Sequence, residues 1–331
     1  MAWRIGSSVT LRQKLFAHLE SMRPYTLLWC GLVSLVGASL TFGDLPPVRT
    51  ALLVFFIPIL GWIAGLYLAD YYDRTLDAIQ KPQRPLPSGR IRPTEALVVG
   101  AVFAITGLLL TLLLPWVTIL LVIIASILVF CYAKFTKTRG LLGNFNRGAL
   151  TVVTYLFGVL SVGMPLSSIP PYIWVLSLVF FLHDTNSNIV GAIRDVHGDR
   201  TGGYKTTPVL YGITKALIIS ASLSILYLLL TIGLVFVVFV LPFQWYFIGL
   251  YIIGILVLCI MYALLFHARR MLTSKQALRA HELFVTERIV FASAFIVGVA
   301  RSHTIALLLF VLSLIVTLLS QHLLRERYEL T

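Results

Sequence analysis

Long apolar runs separated by short polar stretches dominate the chain. A helix needs about 20 apolar residues to cross the hydrocarbon of a bilayer. The pattern predicts such runs at 26–43, 50–69, 94–114, 116–133, 147–165, 171–193, 215–241, 243–266, 281–300 and 304–321. The fold class expected is an all-α membrane protein, a multi-pass bundle of nine to ten transmembrane helices. Residues 1–23 are basic and mixed and have no uninterrupted apolar core, so they predict an interfacial helix, not a cleaved signal. Residues 24–331 contain no low-complexity linker and read as one transmembrane domain.

Composition agrees. Of the 331 residues, 59% are apolar, and mean hydropathy is +0.93. Soluble domains sit near 45–50% apolar. The net charge of +13 would suggest nucleic acid in a soluble protein. In a membrane chain the positive-inside rule explains it better, and no nucleic-acid partner is expected. The N-terminal segment, alternate connections and the C-terminus, with the helix ends next to them, collect all the Lys and Arg residues except Arg49 and Arg301. This predicts a cytoplasmic N-terminus and favours ten crossings over nine. Cys30, Cys131 and Cys259 form no CxxC pair and read as small apolar-span residues.

An ionisable residue at the centre of a membrane helix costs about 2.5–3.5 kcal/mol on insertion scales. Six of the thirteen acidic residues nevertheless gather at or near the ends of two apolar runs. Asp70, Asp73 and Asp77 are spaced three and four apart, which puts them on one helical face. Asp195 and Asp199 share a face too if the helix continues through Gly198, and Asp184 lies upstream. Both clusters fall on the predicted cytoplasmic side and run into long basic loops. Converging carboxylates repel unless cations lie between them. Hard cations such as Mg²⁺ prefer such oxygens and commonly share them with substrate phosphate. Lys81, Arg84, Arg90, Arg200 and Lys205 would suit the outer oxygens of a diphosphate.

Further polar groups are candidates for the same site. The run His183-Asp184-Thr-Asn186-Ser-Asn188 sits deep in an apolar span. Asp184 and Asn188 share a face and either contact an acceptor, or take its proton, or bond between helices. Asn144 and Arg147 open the fifth span, where Arg147 either meets a diphosphate or snorkels to the interface. Tyr67 is the aromatic residue assigned to the cavity.

Asp70-x-x-Asp73-x-x-x-Asp77 followed by Lys81-Pro-Gln-Arg-Pro-Leu-Pro-Ser-Gly89 resembles the first signature of the UbiA superfamily of intramembrane prenyltransferases. Arg194-Asp195-Val-His-Gly-Asp199-Arg, then Lys205-Thr-Thr-Pro-Val-Leu, resembles the second. Arg23-Pro24 and Gly143-Asn144 also look like the family. The resemblance implies a helical bundle around a central cavity open to the bilayer. It implies an isoprenyl diphosphate held through Mg²⁺ by Asp70, Asp73, Asp77, Asp195 and Asp199, whose allylic carbocation is captured by an aromatic or other lipophilic acceptor. Two positions depart from the family pattern. Ala69 stands where Asn is frequent, and Gly191-Ala192 where a Lys-Asp pair is frequent. A membrane terpene cyclase, which needs no acceptor, is the alternative activity. A transporter would place its acids near the bilayer midplane, which these clusters do not do. Acceptor identity, chain length and oligomeric state are not legible.

Overall fold

The computed structural model describes residues 9–238 and 241–329. Thirteen α-helices are present there: α1 Leu11–Met22, α2 Pro24–Phe42, α3 Val48–Gln80, α4 Pro93–Thr111, α5 Val117–Cys131, α6 Leu141–Ser161, α7 Pro171–Thr201, α8 Thr207–Tyr211, α9 Ile213–Gly233, α10 Gln244–Ala268, α11 Ser274–Val299, α12 His303–Ser320 and α13 Glu326–Glu329. Local chemistry sets their starts. Thr10 with Gln13 and Thr273 with Gln276 form capping boxes that begin α1 and α11. Pro24, Pro93 and Pro171 occupy first-turn positions, where no backbone donor is lost. The basic N-terminal segment forms the helix α1 over Leu11–Met22, and its residues 1–8 lie outside the described residues.

Among the described residues, eight helices are long and apolar enough to cross a membrane. α6 and α11 cover the fifth and ninth predicted runs but are outside that group. They carry Asn144 and Arg147, and Glu287 and Arg288, into the bundle. The chain is an integral membrane protein, and the expected count of nine to ten spans is not reached on length and apolarity alone.

Burial sorts the helices into an inner and an outer set. The apolar window of α2 is 72% buried and that of α7 67%, against 6% for α5 and 17% for α12. α2, α6, α7 and α11 therefore form the core. The outer faces of α4, α5, α9, α10 and α12 carry exposed Leu, Ile and Val side chains. Apolar surface on that scale fits lipid, not water.

α3 has 33 residues and α7 has 31, well beyond what the hydrocarbon requires. Their last turns carry the two acidic clusters to one end of the bundle. α7 runs unbroken through Gly198, so Asp195 and Asp199 do share a face. The two helix ends touch there. Gln80 donates its side-chain N–H to the Gly198 carbonyl, and a Cβ at Gly198 would lie 2.5 Å from the Gln80 Oε1. Lys205 N–H donates to the Thr138 carbonyl at 3.0 Å, pinning the loop after α7 to that after α5.

α2 and α6 cross with almost no space between backbones. A Cβ at Gly158 would stand 1.7 Å from the Ser34 carbonyl oxygen. Gly158→Ala must push the helices apart, and overpacking of this kind costs about 1–3 kcal/mol or more. The expected outcome is a clearly lower thermal unfolding midpoint for the purified variant, measured by fluorescence. An unchanged midpoint would contradict the close crossing.

Candidate active site

The ends of α3 and α7 line a cavity of about 450 Å³. Asp73 and Asp77 reach it from α3, Asp195 and Asp199 from α7. Lys81 and Arg84 come from the loop after α3, and Lys137 from the turn after α5. The sequence groups acids and bases separately, but the fold interleaves them. Arg23 pairs with Asp70 and Lys137 with Asp73. Arg84 donates through one nitrogen to both oxygens of Asp77 at 2.9 Å. Lys81 lies 3.1 Å and Arg194 2.5 Å from Asp195. Asp199 accepts from the Thr206 hydroxyl at 3.0 Å.

Four of the five carboxylates thus meet five cations in a largely buried setting, where each charge alone would be very costly. Burial disfavours the Lys137 ammonium, but Asp73, Tyr132 and Tyr204 outweigh it and hold its pKa above the usual lysine value. Burial likewise opposes the charge on Arg23, and Asp70 more than offsets it. Burial and Asp73 push the Tyr204 phenol up to about 12, so it stays a neutral donor.

Local backbone chemistry aims Arg23. It lies between α1 and α2 with φ 47°, the one non-glycine residue in the left-handed region among the described residues. That conformation costs roughly 1–2 kcal/mol in an L-residue. The turn points the guanidinium inward, where it donates to the Tyr328 hydroxyl oxygen at 2.6 Å as well as to Asp70.

A second polar layer lies deeper. Asp184 is fully buried and takes Arg147 at 3.1 Å, Arg288 at 2.7 Å and the Thr151 hydroxyl at 2.9 Å. Arg147 and Arg288 line the cavity from this anchor. Asn144 donates to Asn188 at 2.7 Å, and Asn188 to the Tyr132 hydroxyl at 3.0 Å, on the cavity wall. Beyond this layer an apolar groove of about 400 Å³ runs along α3, α4, α5 and α6. Trp62, Gly65, Val129, Arg147 and Leu150 line both spaces, so the polar cavity leads into the groove.

Several sequence expectations need correction. Arg90 does not face the cavity, because Glu20 holds it at 2.6 Å. Arg200 and Lys205 are exposed and are not on the cavity wall, since the chain turns outward after α7. Tyr67 packs away from it, with its hydroxyl 2.8 Å from His18. Arg147 finds its partner in Asp184, which joins Arg288 in a buried ion triad that bonds between helices. Lys137, Arg194, Tyr132, Tyr204, Arg288, Tyr328 and Glu329 belong to the site and were not selected. Arg194 stands inside the second motif and could have been found there. Nothing in the sequence pattern points to Tyr328 or Glu329.

The donor set of five carboxylates is hard and anionic, which suits Mg²⁺. Among the described residues, however, no three Asp, Glu, His or Cys side chains converge tightly enough to hold a metal unaided. Each cluster would supply some of the oxygens, and bound phosphate would supply the rest.

Removing the Asp184 carboxylate leaves two buried guanidinium groups uncompensated, a loss of about 3–5 kcal/mol. Asp184→Ala is therefore expected to unfold at markedly lower temperature or fail to accumulate. A variant as stable as wild type would overturn the triad's structural role.

Comparison with known proteins converges on one group. The model of the UbiA prenyltransferase family matches residues 27–287. A digeranylgeranylglyceryl phosphate synthase of Thermococcus kodakarensis is 34% identical over 211 residues, 63% of this chain and 74% of that protein. A solved structure described as a digeranylgeranylglyceryl phosphate synthase in membranes superimposes with TM-score 0.61 at 26% identity, covering 86% of this chain and 98% of the other. A UbiA homologue from Archaeoglobus fulgidus, solved with DMAPP and Mg²⁺, shares the fold with TM-score 0.56 at 17% identity, over 93% and 99% of the two chains.

Proposed function

The chain belongs to the UbiA prenyltransferase family, and from that premise we propose that it moves a long isoprenyl group from its diphosphate to the hydroxyl of a lipid acceptor that itself carries a phosphate. One observation carries the reading. A charged cavity, with acids and bases facing each other from α3 and α7, adjoins an apolar groove with which it shares lining residues. A molecule with a highly charged head and a long hydrocarbon tail is complementary to that shape. The acceptor class follows from the glyceryl phosphate synthases that this chain resembles.

In this reading the diphosphate lies between the two acidic clusters. Mg²⁺, as in the Archaeoglobus fulgidus homologue, would be held by Asp70, Asp73, Asp77, Asp195 and Asp199 and would stabilise the charge that develops on the leaving group. Lys81, Arg84, Lys137 and Arg194 turn from the carboxylates to the outer phosphate oxygens. Asn144 and Asn188 hold the cavity wall between donor and acceptor. Trp62 and Tyr132 offer ring faces near the junction of cavity and groove, where an allylic cation would form. The buried walls exclude water that would otherwise capture that cation. The acceptor oxygen forms the new C–O bond, and its proton passes to the departing diphosphate. Arg147 and Arg288, anchored by Asp184, present positive charge to the acceptor's phosphate. The positive-inside pattern supports a cytoplasmic position for this end of the bundle.

Purified protein with Mg²⁺ and a panel of isoprenyl diphosphates tests the proposal, with products followed by mass spectrometry. Ether product should appear only when a phosphate-bearing lipid alcohol is added, and a chelator should abolish it. Cyclic terpenes forming at sustained turnover without acceptor would establish the cyclase instead.

Asp73→Ala and Asp195→Ala are each expected to lower kcat by about 10²-fold or more while the protein still purifies as a folded species. Full activity in either variant would remove the carboxylate clusters from the mechanism.

A further inference from the structure

Two C-terminal residues lie inside the site just described. After α12 the chain makes a wider π turn at Gln321–Arg325 and continues directly as α13. Arg325 fixes the base of this turn. It is fully buried, donates to the Gln321 amide oxygen at 2.6 Å, contacts His281 and lies over the Tyr25 ring. Tyr328 and Glu329 are thereby directed into the bundle, not out to solvent.

Glu329 enters the cationic cradle. Its carboxylate lies 2.6 Å from Lys81, 3.0 Å from Arg84 and 3.1 Å from Arg194. Burial penalises its charge, yet Arg194, Lys81 and Arg84 outweigh that and hold its pKa well below the usual carboxylate range. Tyr328 caps the other side. Its hydroxyl donates to Asp70 at 3.2 Å, and Arg23 and Arg84 stack on its ring at 4.7 and 4.4 Å. Lys81 and Arg194 share Asp195 and Arg84 pairs with Asp77, so the three cations carry one positive charge beyond these two aspartates, and Glu329 takes it up. A carboxylate on three of them resembles a phosphate oxygen in charge and geometry.

We propose that Glu329 is a built-in occupant of the diphosphate cradle, held there by Tyr328, and that the donor must displace the tail in order to bind. The inference rests on the diphosphate reading of the cavity. It adds that the C-terminus sets donor affinity. A tail seated nine-tenths of the time reduces apparent affinity about tenfold, because only the open fraction is competent.

The test uses the full-length chain in lipid nanodiscs and inorganic pyrophosphate with Mg²⁺, read by isothermal titration calorimetry. Glu329→Gln keeps the shape and removes the charge, and deletion of residues 326–331 removes the tail. Both are expected to bind pyrophosphate about tenfold tighter than wild type and to lower the KM for the prenyl donor more than they change kcat. In wild type, saturating pyrophosphate should speed hydrogen exchange in a C-terminal peptide spanning Gln321–Glu329. Equal affinities with unchanged exchange would overturn the proposal. So would weaker binding by Glu329→Gln, which would make Glu329 a ligand of the bound complex. If neither wild type nor variant binds pyrophosphate at all, the diphosphate reading itself fails, and this inference with it.

Discussion

Charge buried inside a membrane protein has to be neutralised where it stands, and in this molecule that demand organises one whole end of the bundle. Aspartates on α3 and α7 face lysines and arginines delivered by the α1–α2 junction, two interhelical loops and α7 itself, and the C-terminus adds the carboxylate of Glu329. Apart from Arg194 with Asp195 and Arg84 with Asp77, which are neighbours in sequence, the pairs join distant parts of the chain. Each therefore ties together segments that packing alone would leave free. The helices above are arranged to make the pairing possible. α3 and α7 overrun the hydrocarbon by several turns, and their ends touch through Gln80 and Gly198.

The same pairing is the basis of function. A set of carboxylates and a set of cations, each satisfied by the other, can exchange those partners for a metal ion and a polyanion with little net change in charge. The protein thus tolerates the site between turnovers and still offers both halves of a diphosphate-binding arrangement. One layer deeper, the Asp184 triad is fully buried and fixed. It holds two guanidinium groups at the cavity wall without competing for the donor. Below it the groove between α3 and α6 is apolar, so polarity falls along the path an isoprenyl chain would follow.

Much of this was legible in the sequence because it is periodic. Apolar runs give helices, and spacings of three and four put Asp70, Asp73 and Asp77 on one face. The failures lie where periodicity ends. Arg90, Arg200 and Lys205 sit in loops, whose course depends on turns that no repeat encodes, and the fold sends them to Glu20 or outward. Tyr67 is on the same helix as the aspartates but its hydroxyl meets His18. Tyr328 and Glu329 come from the opposite end of the chain. Their role depends on a contact across about 250 residues, which only the folded molecule creates.

The central claim is that a diphosphate binds between the α3 and α7 clusters with its hydrocarbon in the adjoining groove. A structure solved with Mg²⁺ and a non-hydrolysable isoprenyl thiodiphosphate tests it most directly. The account predicts phosphate oxygens within reach of Lys81, Arg84 and Arg194, metal between the two aspartate clusters, and the chain along Trp62 and Gly65. Density for the diphosphate elsewhere, or a hydrocarbon tail outside the groove, would contradict it.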